Sequence, residues 1–117
     1  MGMRMVTQQD PLSVGDLRRM AADRSWDMVK AVVDIGRGIM AVDAELHADQ
    51  EAELLATGSR QQDLWGINLY PDLPSGERIE FDSMINLRPS FGNVSRGVDD
   101  PAIRGRIAGL IDRLLIE

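Results

Sequence analysis

Apolar residues recur at the spacing of an α-helix near both ends of the chain. Ahead of the first such stretch, the Ser13 hydroxyl can cap a helix, and the pattern predicts that this helix runs from Ser13 to near Arg24. The last helix has the clearest signal, because Asp100 is a good cap and Pro101 suits the first helical position before a continuous apolar stripe. Residues 48–57, rich in Ala, Glu and Leu, predict another helix between these two.

β-Branched residues in the stretches 28–35 and 39–46 predict a first β-hairpin. If Arg37 and Gly38 form a two-residue turn, alternate residues of both strands make one wholly apolar face. The same register places Lys30 opposite Glu45 on the other face, as a pair of opposite charges. A loop with an odd number of residues would turn acidic side chains toward the apolar face, so the two-residue turn is preferred.

A second pair of predicted strands, residues 64–70 and 78–87, flanks a connection with the composition of a turn at residues 71–76. The resulting order α-β-β-α-β-β-α predicts an α+β fold. In this fold two hairpins form a four-stranded antiparallel sheet, and the helices cover one of its faces. Residues 1–12 are predicted to be a flexible lead-in, and residues 13–117 a single domain.

The composition supports one globular domain and excludes several classes of function. The chain has 117 residues, of which 44% are apolar, enough for a core without a metal or disulfide. Its net charge of −6 argues against nucleic acid and anionic membranes as partners. No apolar run has the length of a membrane helix and the first residues lack a signal-peptide pattern, so we expect a cytoplasmic protein. The absence of cysteine excludes thiolate zinc sites and cysteine nucleophiles.

The segment Gly36-Arg37-Gly38-Ile39-Met40-Ala41 matches the G-x-G-x-x-A fingerprint of dinucleotide-binding proteins. That motif must open a helix, whereas residues 39–46 fit a strand better, so we expect no cofactor. A continuous helix over residues 39–57 is the alternative, and it would give a flavodoxin-like βαβ fold.

A sheet with one uncovered face has room there for binding or catalysis, and the outward positions of this sheet are polar. The predicted polar sheet face consists of Asp34, Asp43, Glu45, His47, Asn68, Tyr70, Glu80, Asp82, Asn86 and Arg88. Asp43, Glu45 and His47 alternate along one predicted strand. Together with Asp82 they are candidate ligands for a divalent metal that would activate a water molecule. The simpler interpretation is a solvated face, since antiparallel sheets commonly expose one polar side.

The segment from Arg88 to Asp100 lacks apolar periodicity and is long for a connection in a compact domain, which favours a binding role. The candidate ligand-binding residues in and beside it are Arg88, Asn93, Ser95, Arg96 and Arg104. Guanidinium groups near a helix N-terminus suit a carboxylate or a phosphate. The alternative is a well-packed connector, whose arginines pair with Asp99, Asp100 or Glu80.

Four segments of the chain, DMVKAVVDI, GIMAVDAELHAD, DLWGINLYPD and IEFDSMINLRPSFGNVSRGVDDPAIR, carry a resemblance to a known family. The chain resembles, over roughly residues 13–115, a family of short stand-alone prokaryotic proteins that is catalogued only as a domain of unknown function. The resemblance implies a self-contained cytoplasmic domain. It implies no catalytic residue.

Two functions are compatible with these patterns. The first is a binding module, in which the loop over residues 88–104 and the polar sheet face bind a small anionic ligand or an acidic segment of a protein partner. The second is a metal-dependent phosphoester hydrolase. A homodimer that covers an exposed strand edge is compatible with both. The binding module is preferred because the sequence lacks a strong set of catalytic residues.

Overall fold

The computed structural model describes residues 3–117 and has an α+β fold, as predicted. The strands are β1 (Arg4–Val6), β2 (Leu12–Ser13), β3 (Val29–Asp34), β4 (Ile39–Val42), β5 (Leu64–Leu69), β6 (Ile79–Glu80) and β7 (Leu115–Ile116). The helices are α1 (Val14–Asp23), α2 (His47–Ala56) and α3 (Pro101–Leu114). The main sheet is antiparallel with five strands in the order β1-β4-β3-β5-β6, and β2 pairs with β7 in parallel.

The ends of the predicted helices are confirmed by their local hydrogen bonds. Ser13 Oγ accepts from the backbone N–H of Asp16 at 2.9 Å, at the start of α1. Asp100 Oδ1 accepts from the N–H of Ala102 at 2.8 Å, at the start of α3. Gly58 follows α2 with a φ of 106°, a conformation that favours glycine.

The first hairpin has a longer turn than predicted. Asp34 lies opposite Ile39, and Asp34 Oδ1 accepts from the N–H groups of Gly36 and Arg37, both at 2.9 Å. The register is therefore shifted by two residues from the predicted one, which keeps the same side chains on the same faces. The predicted pairing of Lys30 with Glu45 is wrong, because β4 ends at Val42. The G-x-G-x-x-A motif lies in this hairpin and does not open a helix, so the flavodoxin-like alternative is also wrong.

Helices cover both faces of the main sheet. On one face, α1 and α3 enclose the larger core, which includes Leu17 and Val33. On the other face, Leu54 of α2 belongs to a second apolar cluster with Val32 and Ala41. The prediction that the helices cover one face is therefore wrong. Its physical reason is that β3 and β4 carry buried apolar residues at consecutive positions, so both of their faces require cover.

The N-terminal segment contributes the outer strand β1. Its residues pair with β4, with Arg4 opposite Val42. Met5 packs against the smaller apolar cluster and Val6 is buried in the larger core. Residues 4–6 are thus part of the sheet, although the sequence places them in a flexible lead-in, because their alternating side chains reach both cores.

The second predicted hairpin forms only in part. β5 matches its prediction closely, but β6 ends at Glu80, so the predicted strand over residues 78–87 is wrong beyond that point. The chain then turns through a 3₁₀ helix at Met84–Asn86, where Ser83 Oγ accepts from the N–H of Ile85 at 3.2 Å. No helix within residues 3–117 is long and apolar enough to span a membrane.

Candidate functional site

The side-chain amide of Asn86 takes the place of a strand beside β5. Asn86 is fully buried. Its Oδ1 accepts from the N–H of Gly66 at 2.8 Å, and its Nδ2 donates to the Gly66 carbonyl at 2.9 Å. The same Nδ2 also donates to the carbonyl of Arg96 at 3.0 Å. Asn86, predicted to lie on the polar sheet face, therefore joins the loop that follows it to the sheet.

The side chain of Asn93 holds that loop together through hydrogen bonds to its backbone. Its Nδ2 donates to the carbonyls of Asn86 and Gly97, both at 2.8 Å, and its Oδ1 accepts from the N–H of Asp99 at 2.8 Å. Asn93 is buried. Its amide is thus used inside the protein, as in the packed-connector interpretation of the segment.

The other polar residues of the loop also have partners inside the chain. Ser95 Oγ donates to Asp99 Oδ1 at 2.5 Å, and this hydrogen bond is the main reason that the pKa of the Asp99 carboxyl is lowered. Arg96 Nε donates to Asp82 Oδ1 at 2.7 Å. Arg104 donates to the Val98 carbonyl at 2.6 Å. The predicted arginines do not converge, since Arg96 lines one cleft and Arg88 lines another.

Arg88 crosses the edge of the sheet between two aromatic rings. Its guanidinium donates to the carbonyls of Gln61 at 2.6 Å and Leu64 at 2.8 Å. The guanidinium carbon lies 4.4 Å from the centre of the Trp65 ring and 5.8 Å from that of Phe91. Burial lowers the pKa of Arg88 from its usual value. These residues form part of a cleft of about 410 Å³, here called the Trp65 cleft.

Most of the predicted polar sheet face is occupied by the fold itself. Asp34 is fully buried, where it holds the turn of the first hairpin. Asn68 Nδ2 donates to Glu80 Oε1 at 2.8 Å, and the Tyr70 hydroxyl donates to the same oxygen at 3.1 Å. Glu45 is exposed in the connection before α2. The face is therefore not an open surface.

The four candidate metal ligands are not brought together. Asp43 forms an ion pair with Arg24 at 2.9 Å, and Asp82 forms one with Arg96. Asp43, Glu45 and His47 do not alternate along a strand, because β4 ends before them and His47 begins α2. Among residues 3–117, no group of three His, Cys, Asp or Glu side chains is placed to hold a metal ion.

A second cleft lies at the start of α2, and it is here called the α2 cleft. Its volume is about 180 Å³, and it is lined by Lys30, Leu46, His47, Ala48, Ser83, Met84, Ile85 and Arg96. Three of these side chains are basic types and none is acidic. Leu46 and Met84 are 55% and 61% exposed beside it. Three further clefts each include two acidic residues in their walls.

His47 is a buried residue of the α2 cleft. Its Nε2 donates to the carbonyl of Ile67 at 2.8 Å. Burial is the main cause that lowers the pKa of the imidazole, and the neighbouring Lys30 acts in the same direction. His47 is therefore neutral at pH 7, with Nε2 protonated in the tautomer that donates to this carbonyl.

The sequence analysis named Arg96 and His47 as candidates, but for two different sites. It did not name three other residues that line the same cleft, Lys30, Leu46 and Met84. These residues come from β3, the start of α2 and the 3₁₀ helix after β6. Their only signal in the sequence is a single lysine in an acidic chain and apolar residues within polar connections. Neither signal places them side by side.

Comparison with known proteins gives a family and no function. Neither the curated proteins nor the solved structures contain a match to the chain. The family described as "Protein of unknown function (DUF5674)" matches residues 6–114, a range that includes strands β2 to β6, helices α1 to α3 and the residues that line both clefts. This match confirms the resemblance to a family of unknown function. Because it spans far more than half of the sequence, the chain belongs to the DUF5674 family.

Proposed function

We propose that the protein is a binding module whose α2 cleft binds an acidic segment of a partner protein. The observation that carries the proposal is the charge of the cleft wall. In a chain with a net charge of −6, this wall contains Lys30, His47 and Arg96 and no carboxylate. A negatively charged segment would be repelled by most of the surface and attracted here.

Lys30 is the main source of that attraction. Among the residues that the structure describes, it forms no ion pair, whereas Arg96 is paired with Asp82 and His47 is neutral at pH 7. The start of α2 adds to it, because Leu46 at the N-cap offers no side-chain acceptor to the N–H groups of the first turn. Of these groups, the N–H of Asp49 donates to the Leu46 carbonyl at 3.2 Å, and Asp49 is itself the acidic residue of this turn. These groups and the helix dipole favour a negative charge.

The apolar rim favours a peptide over a small inorganic anion. Leu46 and Met84 are large apolar side chains, and both are more than half exposed beside the basic wall. Apolar side chains of a bound segment would cover them while its carboxylates meet Lys30 and the start of α2. An inorganic anion would leave this apolar surface in water.

A fluorescence anisotropy titration tests the proposal. The probe is a fluorescein-labelled peptide of alternating glutamate and leucine, and inorganic phosphate serves as the competitor that lacks apolar groups. We expect saturable binding that weakens as salt is added, and phosphate should displace the peptide poorly. Lys30→Glu should weaken binding by about tenfold or more.

Arg113→Glu is the matched control, because Arg113 is an exposed arginine of α3 outside the cleft. It reverses one positive charge, as Lys30→Glu does, and should leave the peptide affinity within about twofold of that of the unmodified protein. Equal loss in Lys30→Glu and Arg113→Glu would show a nonspecific charge effect and contradict the proposal. Failure of the unmodified protein to bind the peptide would also contradict it. Light scattering during the titration identifies a second copy of the chain as a competing occupant.

The described residues give no support to the hydrolase hypothesis. Of its four candidate ligands, Asp43 and Asp82 form ion pairs with arginines, and His47 lies at the start of α2. No observation within residues 3–117 favours it.

A further inference from the structure

The Trp65 cleft is separate from the α2 cleft and has a different chemistry. Its wall includes Trp65, Arg88, Phe91, Asp99, Asp100 and Ile103. Its volume of about 410 Å³ is within the range of small-molecule sites. The two clefts share no lining residue, so ligands of the two can be tested independently.

Two buried N–H donors in the wall of this cleft have no acceptor. They are Nε1 of Trp65 and Nε of Arg88, which lack a hydrogen-bond partner among residues 3–117. Trp65 is 5% exposed. Buried donors are nearly always paired in folded proteins, so two unpaired donors in the wall of one cleft indicate an acceptor supplied from outside the chain.

The charge of Arg88 indicates which acceptor is suitable. Within the described part of the chain, its guanidinium has no carboxylate partner and is bonded only to the neutral carbonyls of Gln61 and Leu64. A carboxylate would supply both the missing acceptor and a counter-charge in direct contact, since Glu51 acts on Arg88 without forming an ion pair with it.

The wall of this cleft also contains two carboxylates. Asp99 and Asp100 line the same cleft as Arg88. Hydrogen bonds from Ser95 and from the backbone of Val94 lower the pKa of Asp99, which keeps this carboxylate ionised at neutral pH. A ligand that carries only a carboxylate would meet repulsion here, whereas one that also carries an ammonium group would be attracted at both sides.

We infer that the Trp65 cleft binds a free α-amino acid. Its carboxylate accepts from Trp65 Nε1 and Arg88 Nε, its ammonium group faces Asp99 and Asp100, and its side chain packs on Phe91. Because both donor nitrogens are buried, a neighbouring side chain has to move as the ligand enters, and we assign this movement to Phe91, whose ring centre lies 5.8 Å from the guanidinium carbon of Arg88. Phe91 is 59% exposed, so this movement disrupts little packing.

The two tryptophans of the chain allow a direct test by NMR. The indole N–H signals of Trp65 and Trp26 are followed in ¹H–¹⁵N spectra during titration with the standard free amino acids, with acetate and with methylamine. We expect a saturable shift of the Trp65 signal with at least one amino acid and with neither acetate nor methylamine. The Trp26 signal should stay in place, since Trp26 lies outside this cleft.

Two variants sharpen the result. Arg88→Lys should weaken amino-acid binding by about tenfold, because lysine lacks the guanidinium fork. Asp100→Asn keeps a good helix cap and removes one charge, so it should weaken amino-acid binding while the melting temperature stays nearly unchanged. Asp100→Asn therefore tests the inference even if Arg88→Lys does not fold. The inference is overturned if no amino acid shifts the Trp65 signal, if acetate shifts it equally, or if Asp100→Asn binds as the unmodified protein does.

Discussion

The side-chain amide of Asn86 forms both hydrogen bonds with Gly66 that a neighbouring strand residue would form. The two distances are 2.8 Å and 2.9 Å, and Asn86 has no exposed surface. The backbone of β5 is thus satisfied by one side chain where β6 has already ended. This relationship fixes the position of the loop that contributes Arg88 to the Trp65 cleft and Arg96 to the α2 cleft.

Replacing Asn86 with Ala should strongly destabilise the protein. The change leaves the N–H and the carbonyl of Gly66, and the carbonyl of Arg96, without their side-chain partner in a buried site. We expect the free energy of unfolding to fall by about 3 kcal/mol. Urea denaturation measures it, with Gln9→Ala as a control at an exposed amide that should change stability by less than about 0.5 kcal/mol. Similar effects of the two changes would contradict the strand-like role of Asn86.

Gly66 is predicted to tolerate no side chain because Ser83 lies directly against it. A Cβ at Gly66 would lie 2.5 Å from both Cβ and Oγ of Ser83. Gly66→Ala should therefore lower the free energy of unfolding by about 2 kcal/mol. In the double variant Gly66→Ala/Ser83→Gly the clash is removed, so the two changes should cost less together than the sum of their separate costs.

The control for this cycle is Gly76→Ala, since nothing lies within 4 Å of a Cβ at Gly76. Thermal and urea unfolding of the two single variants, the double variant and the control give the coupling free energy between residues 66 and 83. Strict additivity would mean that the close approach to Ser83 does not limit residue 66.

Asp43 combines an ion pair with a strained backbone, and two substitutions separate these effects. Its φ is 68°, and its carboxylate is 2.9 Å from Nε of Arg24. Asp43→Asn keeps a residue that tolerates this φ and should lower the free energy of unfolding by about 1 kcal/mol through loss of the partly buried ion pair. Asp43→Ala loses the pair and adds backbone strain, so it should cost about 1 kcal/mol more.

Arg24→Ala removes the same pair from the other side and should resemble Asp43→Asn more than Asp43→Ala. The measurement is equilibrium unfolding in urea for all three variants. Equal stability of Asp43→Asn and Asp43→Ala would show that the positive φ carries no cost.

The three helices could be predicted from the sequence because their signals are local. Ser13 and Asp100 cap helices through N–H groups only two or three residues away, and the apolar stripe of α3 lies within the helix itself. In contrast, the local signals do not predict that helix α2 covers the second face of the sheet. Val32 and Ala41 are suitable for either face of a strand, and only the tertiary placement of Leu54 shows that this face is buried.

The site could be predicted only in part for a related reason. A polar side chain in a loop has the same sequence pattern whether it faces solvent or the backbone. Asn93 and Ser95 were predicted to bind a ligand, but their hydrogen bonds hold the loop together. Lys30 and Met84 are far apart in the sequence, and the turn after β6 brings them to one cleft. Only Arg96 belongs both to the predicted loop site and to the α2 cleft.

His47 should make the stability of the protein depend on pH in a range where the carboxylates do not titrate. Burial lowers its pKa below the usual 6.5 in the folded protein, so the unfolded chain binds the proton more tightly. The stability that neutral His47 contributes is present above pH 6.5 and is lost as the pH falls through and below that value. The pKa values of Asp16 and Asp99 lie below the usual 3.8, and that of Glu117 lies below the usual 4.5, so the contribution of these carboxylates is lost only in more acidic solution. The melting temperature of the unmodified protein should therefore fall as the pH is lowered from about 8 to about 5.

His47→Gln retains a donor for the Ile67 carbonyl but has no group that titrates, so its melting temperature should be nearly constant over the same pH range. Because the chain has a single histidine, a parallel decline in both proteins would show that the imidazole is not buried as a neutral group.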